Sequence, residues 1–229
     1  MVDHETTLQD HSNLARKLLI TLEEFVDEIG KRGCTAHLES VIAEGHYLKG
    51  KNLGQRSERF IEDHLIFPVL QILDHTVLPR PVQYAPRWTH GRGIPDFALT
   101  TIPIDTAKER HVRLFGESKP PNKLQYARED VQMYLKKDID LHAVAVLTDG
   151  IDWELWLRPR NEKLAEESTP IAVASLQTAL ATVKARNMEE EPYNKHYARE
   201  QIDDDSFAQF TAAAILETLT VELGVDTDF

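Results

Sequence analysis

Two short groups of residues could do chemistry together: Pro95-Asp96 and, 21 residues after the aspartate, Glu117-Ser118-Lys119. Each lies on a segment that alternates like a strand, IPDFALTTI at 94–102 and HVRLFGESK at 111–119. The polar stretch 103–110 between them predicts a hairpin. Antiparallel neighbours can bring Asp96 and Glu117 to one sheet position. Two carboxylates with further oxygen ligands suit a hard cation such as Mg²⁺, which keeps waters and accepts phosphate oxygens. The Ser118 carbonyl offers an additional ligand, so the expected metal set is Asp96, Glu117 and Ser118. Alternate strand residues share a face, so Lys119 projects beside Glu117. An ammonium there can orient or polarise a metal-bound water for in-line attack on a phosphodiester. The plainer readings are that Asp96 caps a turn, and that Glu117 and Lys119 form a solvated ion pair worth under ~1 kcal/mol. The second leaves unexplained why both end an otherwise apolar strand.

The elements that must hold these groups follow from periodicity. Leu14, Leu18, Leu19, Leu22, Phe25 and Val26 have helical spacing, which predicts a helix over 12–29. Ser12 can cap its start and Gly30 can end it. A second helix is expected over 35–48 and a third over 56–74, where Pro68 should bend it or mark its last turns. PVQYAPRW (81–88) reads as extended. Residues 123–137 read as a helix, and the apolar run LHAVAVLTD (141–149) as a strand buried on both faces. Asp149-Gly150 signals a hairpin returning as DWELWL (152–157). A charged loop over 159–171 and helices near 174–187 and 206–223 complete the chain. The fold class is therefore α/β, with a helical extension over 1–55, a core over 56–158 and an acidic helical extension over 159–229.

Composition bounds the setting. Of 229 residues, 41% are hydrophobic and 28% charged, ordinary for a soluble globular protein. No uncharged apolar run approaches the ~20 residues that span a bilayer, and the polar start MVDHETTLQDH does not read as a secretory signal. The single cysteine, Cys34, excludes an intramolecular disulfide framework and reads as a buried thiol. The cytoplasm is the default expectation, with no membrane partner. Net charge is −12, yet Pro79–Lys123 holds eight Lys/Arg against four Asp/Glu, while Ala185–Phe229 holds three against eleven. The acidic tail reads as a solvated helical face, and the middle of the chain as a surface for an anion.

The Pro-Asp…Glu-Ser-Lys pattern resembles the PD-(D/E)xK nuclease superfamily, which includes many restriction endonucleases. Within it, the chain is closest in look to the N-terminal nuclease domain of type I restriction motor subunits. Those domains carry a helix with an acidic residue ahead of an (I/L)-x-P-x-L end, here Glu58 before Ile66-Phe67-Pro68-Val69-Leu70. A Gly-Arg-x-Asp-type lead-in to the first strand is matched by Gly91-Arg92-Gly93-Ile94-Pro95-Asp96. After the lysine come a helix, an apolar strand ending Leu147-Thr148-Asp149-Gly150, and a Trp-bearing strand with Trp153 and Trp156. The likeness covers about residues 56–158. The family's Gln-x-x-x-Tyr is altered: Tyr134 is present, but position 130 is Asp and the glutamine is Gln132. No Walker-type Gly-Lys-Ser/Thr loop exists, so no motor lies in this chain.

The resemblance implies a restriction-endonuclease-like core, a central mixed sheet of four to five strands flanked by helices. It implies a Mg²⁺-dependent DNA endonuclease, with Mn²⁺ able to substitute, in restriction, defence or DNA processing. Asp96, Glu117, Lys119 and Glu58 are then the catalytic set. Glu62 shares a helix face with Glu58 and is the reserve; for each, a solvated face is the competing reading. Arg87, Arg92, Lys123 and Arg128 are the candidate phosphate contacts, with Trp88 a base-stacking and His90 a site-lining candidate. The partners expected are DNA and either a second copy of the chain or a separate specificity or motor subunit. The competing reading is a non-catalytic module on the same fold, binding nucleic acid or protein.

Overall fold

The structure, a computed structural model, describes residues 4–81, 94–136, 139–165, 168–187 and 192–227. One long helix, α1 (His4–Lys31), opens the chain and is followed by α2 (Thr35–Glu44) and the short α3 (Gly50–Leu53). The apolar spacing read from Leu14 to Val26 is the buried stripe of α1, with Leu18, Leu19, Leu22, Phe25 and Val26 all buried. The helix expected over 56–74 is built in three pieces: α4 (Ser57–Ile61), a π-helical turn (Glu62–Ile66) and α5 (Phe67–Ile72). Pro68 supplies the physical reason. It has no N–H to bond the carbonyl of His64, and its ring would press on that carbonyl. The backbone widens there, and the Phe67 N–H bonds the Glu62 carbonyl instead.

Among the described residues the sheet has six strands in sequence order: β1 (Val77–Pro79), β2 (Phe97–Leu99), β3 (Val112–Ser118), β4 (His142–Thr148), β5 (Asp152–Arg158) and β6 (Ala172–Ser175). All neighbours are antiparallel except β3 and β4, so the sheet is mixed. The parallel pair is joined by α7 (Leu124–Leu135), and β2 leads to β3 through α6 (Ile104–Glu109), where the sequence suggested a plain hairpin loop.

Six strands replace the four to five expected. Edge strand β1 lies ahead of the 81–88 segment read as extended, of which 82–88 fall outside the described residues. Edge strand β6 occupies the start of the helix expected over 174–187; helix α8 (Gln177–Val183) and a 3₁₀ turn (Lys184–Asn187) take the remainder. Toward the C-terminus a short α9 (Lys195–Glu200) was not anticipated. The helix expected over 206–223 is two: α10 (Asp204–Ala208) and α11 (Ala212–Leu223), whose start is capped by Thr211 accepting from the Ala214 N–H.

Strand alternation divides the core. Val112 and Leu114 of β3, Phe97 of β2 and Val144 of β4 face α1, α4, α5 and α8, in one cluster running from Ala15 to Val225. Phe115, Ala145 and Trp156 face α7 in a second. Trp153 and Trp156 are buried in these clusters, as is Cys34, whose Sγ–H donates to the Asn52 carbonyl. Among the described residues no helix is long and apolar enough to cross a membrane.

Candidate functional site

The register Phe97↔Gly116, continued by one residue, sets Asp96 opposite Glu117, as the motif spacing suggested. Both stand where β2 begins and β3 ends and the two helical layers approach each other. From one layer, α4 and the π turn bring Glu58 and Glu62. From the other, α7 brings Asp130 and Tyr134.

Asp96 lies with Glu58 and Glu62: one carboxylate oxygen of each falls within 4.8 Å of the others. The helix face shared by positions 58 and 62 puts both acids into the group, so the reserve residue and the favoured one belong together. Ser118 ties them to the sheet. Its N–H donates to Asp96 Oδ2 at 2.9 Å, and its buried hydroxyl lies 2.8 Å from Glu62 Oε1 and 3.2 Å from Asp96 Oδ2. A hydroxyl has one hydrogen. It goes to Glu62 at the shorter distance, while Asp96 Oδ2 keeps the Ser118 N–H as its closer donor. The Ser118 N–H and hydroxyl are the groups that contact the acids.

Glu117 stands outside this trio. Its Oε1 accepts from the Lys119 ammonium at 2.8 Å, and the same ammonium lies 2.9 Å from Asp130 Oδ2. Glu117 Oε2 is buried with no hydrogen-bond partner among the described residues. Position 130, where the resemblance led to a glutamine, therefore carries the second anchor of the lysine. Its role escaped the sequence reading, although its placement one helical turn before Tyr134 was visible.

Electrostatics follow from this crowding. Burial, then the charge of Asp96, pushes the Glu117 carboxyl well above the usual range. Burial likewise raises Glu58 and Glu62, and Asp96 adds to both, while the Ser118 hydroxyl pulls Glu62 back. For Lys119, burial favours the neutral amine, but Glu117 and Asp130 together outweigh it and the group is held firmly as an ammonium. Three clustered carboxylates, one orphaned carboxylate oxygen and a shared hydroxyl form an all-oxygen, anionic donor set. That is the chemistry of a site able to hold a hard cation.

The predicted cationic contacts divide. Arg87 and Arg92, with Trp88 and His90, lie outside the described residues. Lys123 lies over the Tyr47 ring at 4.2 Å. Arg128 is engaged by the buried Glu154, its Nε 2.8 Å from Oε1, next to the Trp156 indole on the same carboxylate. The structure does not bring Lys123 or Arg128 into the acidic group. Two arginines that the sequence reading passed over do approach it: Arg56 and Arg80 line the same cleft as Glu58 and Glu62. Comparison of the chain with protein-family models, with curated proteins and with solved structures found no match.

Proposed function

We propose that this chain is a Mg²⁺-dependent DNA endonuclease of the PD-(D/E)xK type, hydrolysing phosphodiester bonds in a defence or DNA-processing role. One observation carries the reading: Asp96, Glu58 and Glu62 meet at the strand ends where Glu117 holds Lys119. Ligand atoms opposite each other across Mg²⁺ stand about 4.2 Å apart, and across Ca²⁺ roughly 5 Å. A spread within 4.8 Å therefore suits a divalent ion after a small closure. The cation would be held by Asp96 with Glu58 and Glu62, and Glu117 Oε2 is the further oxygen at hand. Once bound, it supplies Lewis-acid stabilisation of charge on a phosphate and favours ionisation of a water. The chain's own residues do the rest. Lys119, fixed by Glu117 and Asp130, presents a permanent positive charge that orients a nucleophile and steadies developing negative charge. It acts as a cation, not as a base. Ser118 keeps Asp96 and Glu62 in register with the sheet.

The second reading, a binding module on the same fold, draws on Lys119 being neutralised by two carboxylates and Arg128 by Glu154. One experiment decides. Supercoiled and linear DNA are incubated with Mg²⁺, Mn²⁺ or EDTA, using wild type and Lys119→Ala in parallel. Metal-dependent cutting lost in the variant supports the nuclease. Binding without cutting, the same in both proteins, supports the module.

A further inference from the structure

The cleft that reaches the acidic group encloses about 370 Å³, and its lining includes Gly50, Arg56, Glu58, Glu62, Arg80 and Pro120. Two buried or half-buried carboxylates share it with two exposed arginines from separate parts of the chain. Arg56 immediately precedes α4, and Arg80 immediately follows β1. Other cations near the site have fixed tasks: Arg59 pairs with Asp63 at 2.7 Å and Glu62 at 3.3 Å, and Lys119 with Glu117 and Asp130. Among the described residues, neither Arg56 nor Arg80 forms an ion pair with a carboxylate. Both are still close enough for their charge to favour the ionised form of Glu58.

Arg80 is also held in an unusual backbone state. Its φ is +46°, a left-handed conformation rare for a side chain of this kind. Its N–H donates to the Asp96 carbonyl at 2.7 Å. The arginine is thereby tied to the residue that anchors the acidic group. A chain of net charge −12 must supply local cations to admit a polyanion. Guanidinium groups with unengaged donors present a planar fork suited to two phosphate oxygens.

We infer that Arg56 and Arg80 are the phosphate-binding residues of this site, gripping the nucleic-acid backbone beside the acidic group so that the strand crosses the cleft between α4 and the end of β1. This assignment rests on the phosphodiesterase reading above.

The test uses the full chain with Arg56→Gln, Arg80→Asn and the double variant; asparagine tolerates the left-handed backbone at 80. Arg160→Gln, in the exposed turn after β5, is the control. Binding of a labelled duplex is followed by anisotropy in EDTA between about 50 and 200 mM salt. Cleavage is followed separately with Mg²⁺. The double variant should bind about tenfold or more weakly at low salt, with a salt slope shallower by roughly one per arginine. The control should match wild type. If wild type cuts DNA and the double variant keeps both affinity and slope, the arginine assignment falls while the nuclease reading stands. If wild type neither binds nor cuts, the reading of the site falls and takes the assignment with it.

Discussion

Gly116→Ala joins the packing of the sheet to the geometry of the acidic site. Gly116 lies opposite Phe97, and a Cβ there would sit 2.0 Å from the ring's Cζ and 2.1 Å from Cε2. Carbon atoms pack at roughly 3.5–4.0 Å, so the ring would have to retreat by about 1.5 Å. It has nowhere to go: Phe97 is fully buried, with its ring edge-on to Phe67 at 5.8 Å. Overpacking of this kind costs about 1–3 kcal/mol. The reduced freedom of alanine in the unfolded chain returns roughly 0.4–1 kcal/mol. The clash wins, and a net loss of about 1–2 kcal/mol corresponds to a Tm lower by roughly 2–8 °C for a chain of this size. Thermal and urea unfolding measure it. Phe97→Leu shortens the ring side, so the Phe97→Leu/Gly116→Ala double variant should be more stable than the summed single losses by about 1 kcal/mol or more. Because Asp96 and Glu117 follow on directly from the Phe97–Gly116 pair, under the proposed function the single variant should also lose DNA cleavage, measured at a temperature where it is folded. A Gly116→Ala protein within ~0.5 kcal/mol of wild type, or strictly additive losses, would refute the packing argument.

Three further outcomes are expected. Ser118→Ala removes the buried donor between Glu62 and Asp96 and should cost about 1–3 kcal/mol in EDTA, with added Mg²⁺ restoring part of it in a melting assay. Mg²⁺ at about ten times its dissociation constant should stabilise wild type by roughly 1.4 kcal/mol and leave Asp96→Asn unchanged; equal shifts would remove Asp96 from the metal set. His75 is buried, its Nε2–H donating to the Phe210 carbonyl at 2.7 Å and its Nδ1 accepting from Thr101 at 2.8 Å. Burial lowers its pKa below the ordinary value near 6.5, the Phe210 carbonyl opposing this only in part. The unfolded chain therefore takes up a proton first as pH falls, so this group's contribution is lost below about pH 6.5. Unfolding free energy should decline from neutral pH toward pH 5.5 more steeply in wild type than in His75→Gln; parallel slopes would count against a neutral buried imidazole.

The parts of the fold that the sequence made legible are those whose side chains alternate or recur without interruption. β3, β4, β5, α7 and the stripe of α1 all have a continuous apolar signal tied to one or two buried faces. β6 was hidden because Ala172-Val173-Ala174-Ser175 is short, lies at the sheet edge and has three of its four residues small. The π turn at Glu62–Ile66 was foreshadowed by Pro68 alone, since periodicity cannot distinguish a widened turn from a bend. At the site, Asp96, Glu117 and Lys119 were legible because strand register is a local property. Asp130 and Arg80 were not, because their relevance depends on a crossover helix and an edge strand coming to rest beside the motif. The pairing of Arg128 was not legible either: near the motif in sequence, it is engaged by a buried partner, Glu154, on β5.

The charge arrangement at the strand ends explains why one lysine sits among so many acids. Glu58, Glu62, Asp96, Glu117 and Asp130 converge on a small volume in which burial already disfavours ionisation of the first two and of Glu117. Lys119 offsets Glu117 and Asp130, and Arg59 offsets one oxygen of Glu62. Glu58 and Asp96 have no cation of the chain in hydrogen-bond contact among the described residues. If stability alone had shaped this corner, neutral side chains of similar volume would serve better, since crowded, partly buried carboxylates are costly to keep ionised. Under the proposed function, a cation from solution would complete this site, and the arginines of the cleft stand where an anion accompanying that cation would arrive.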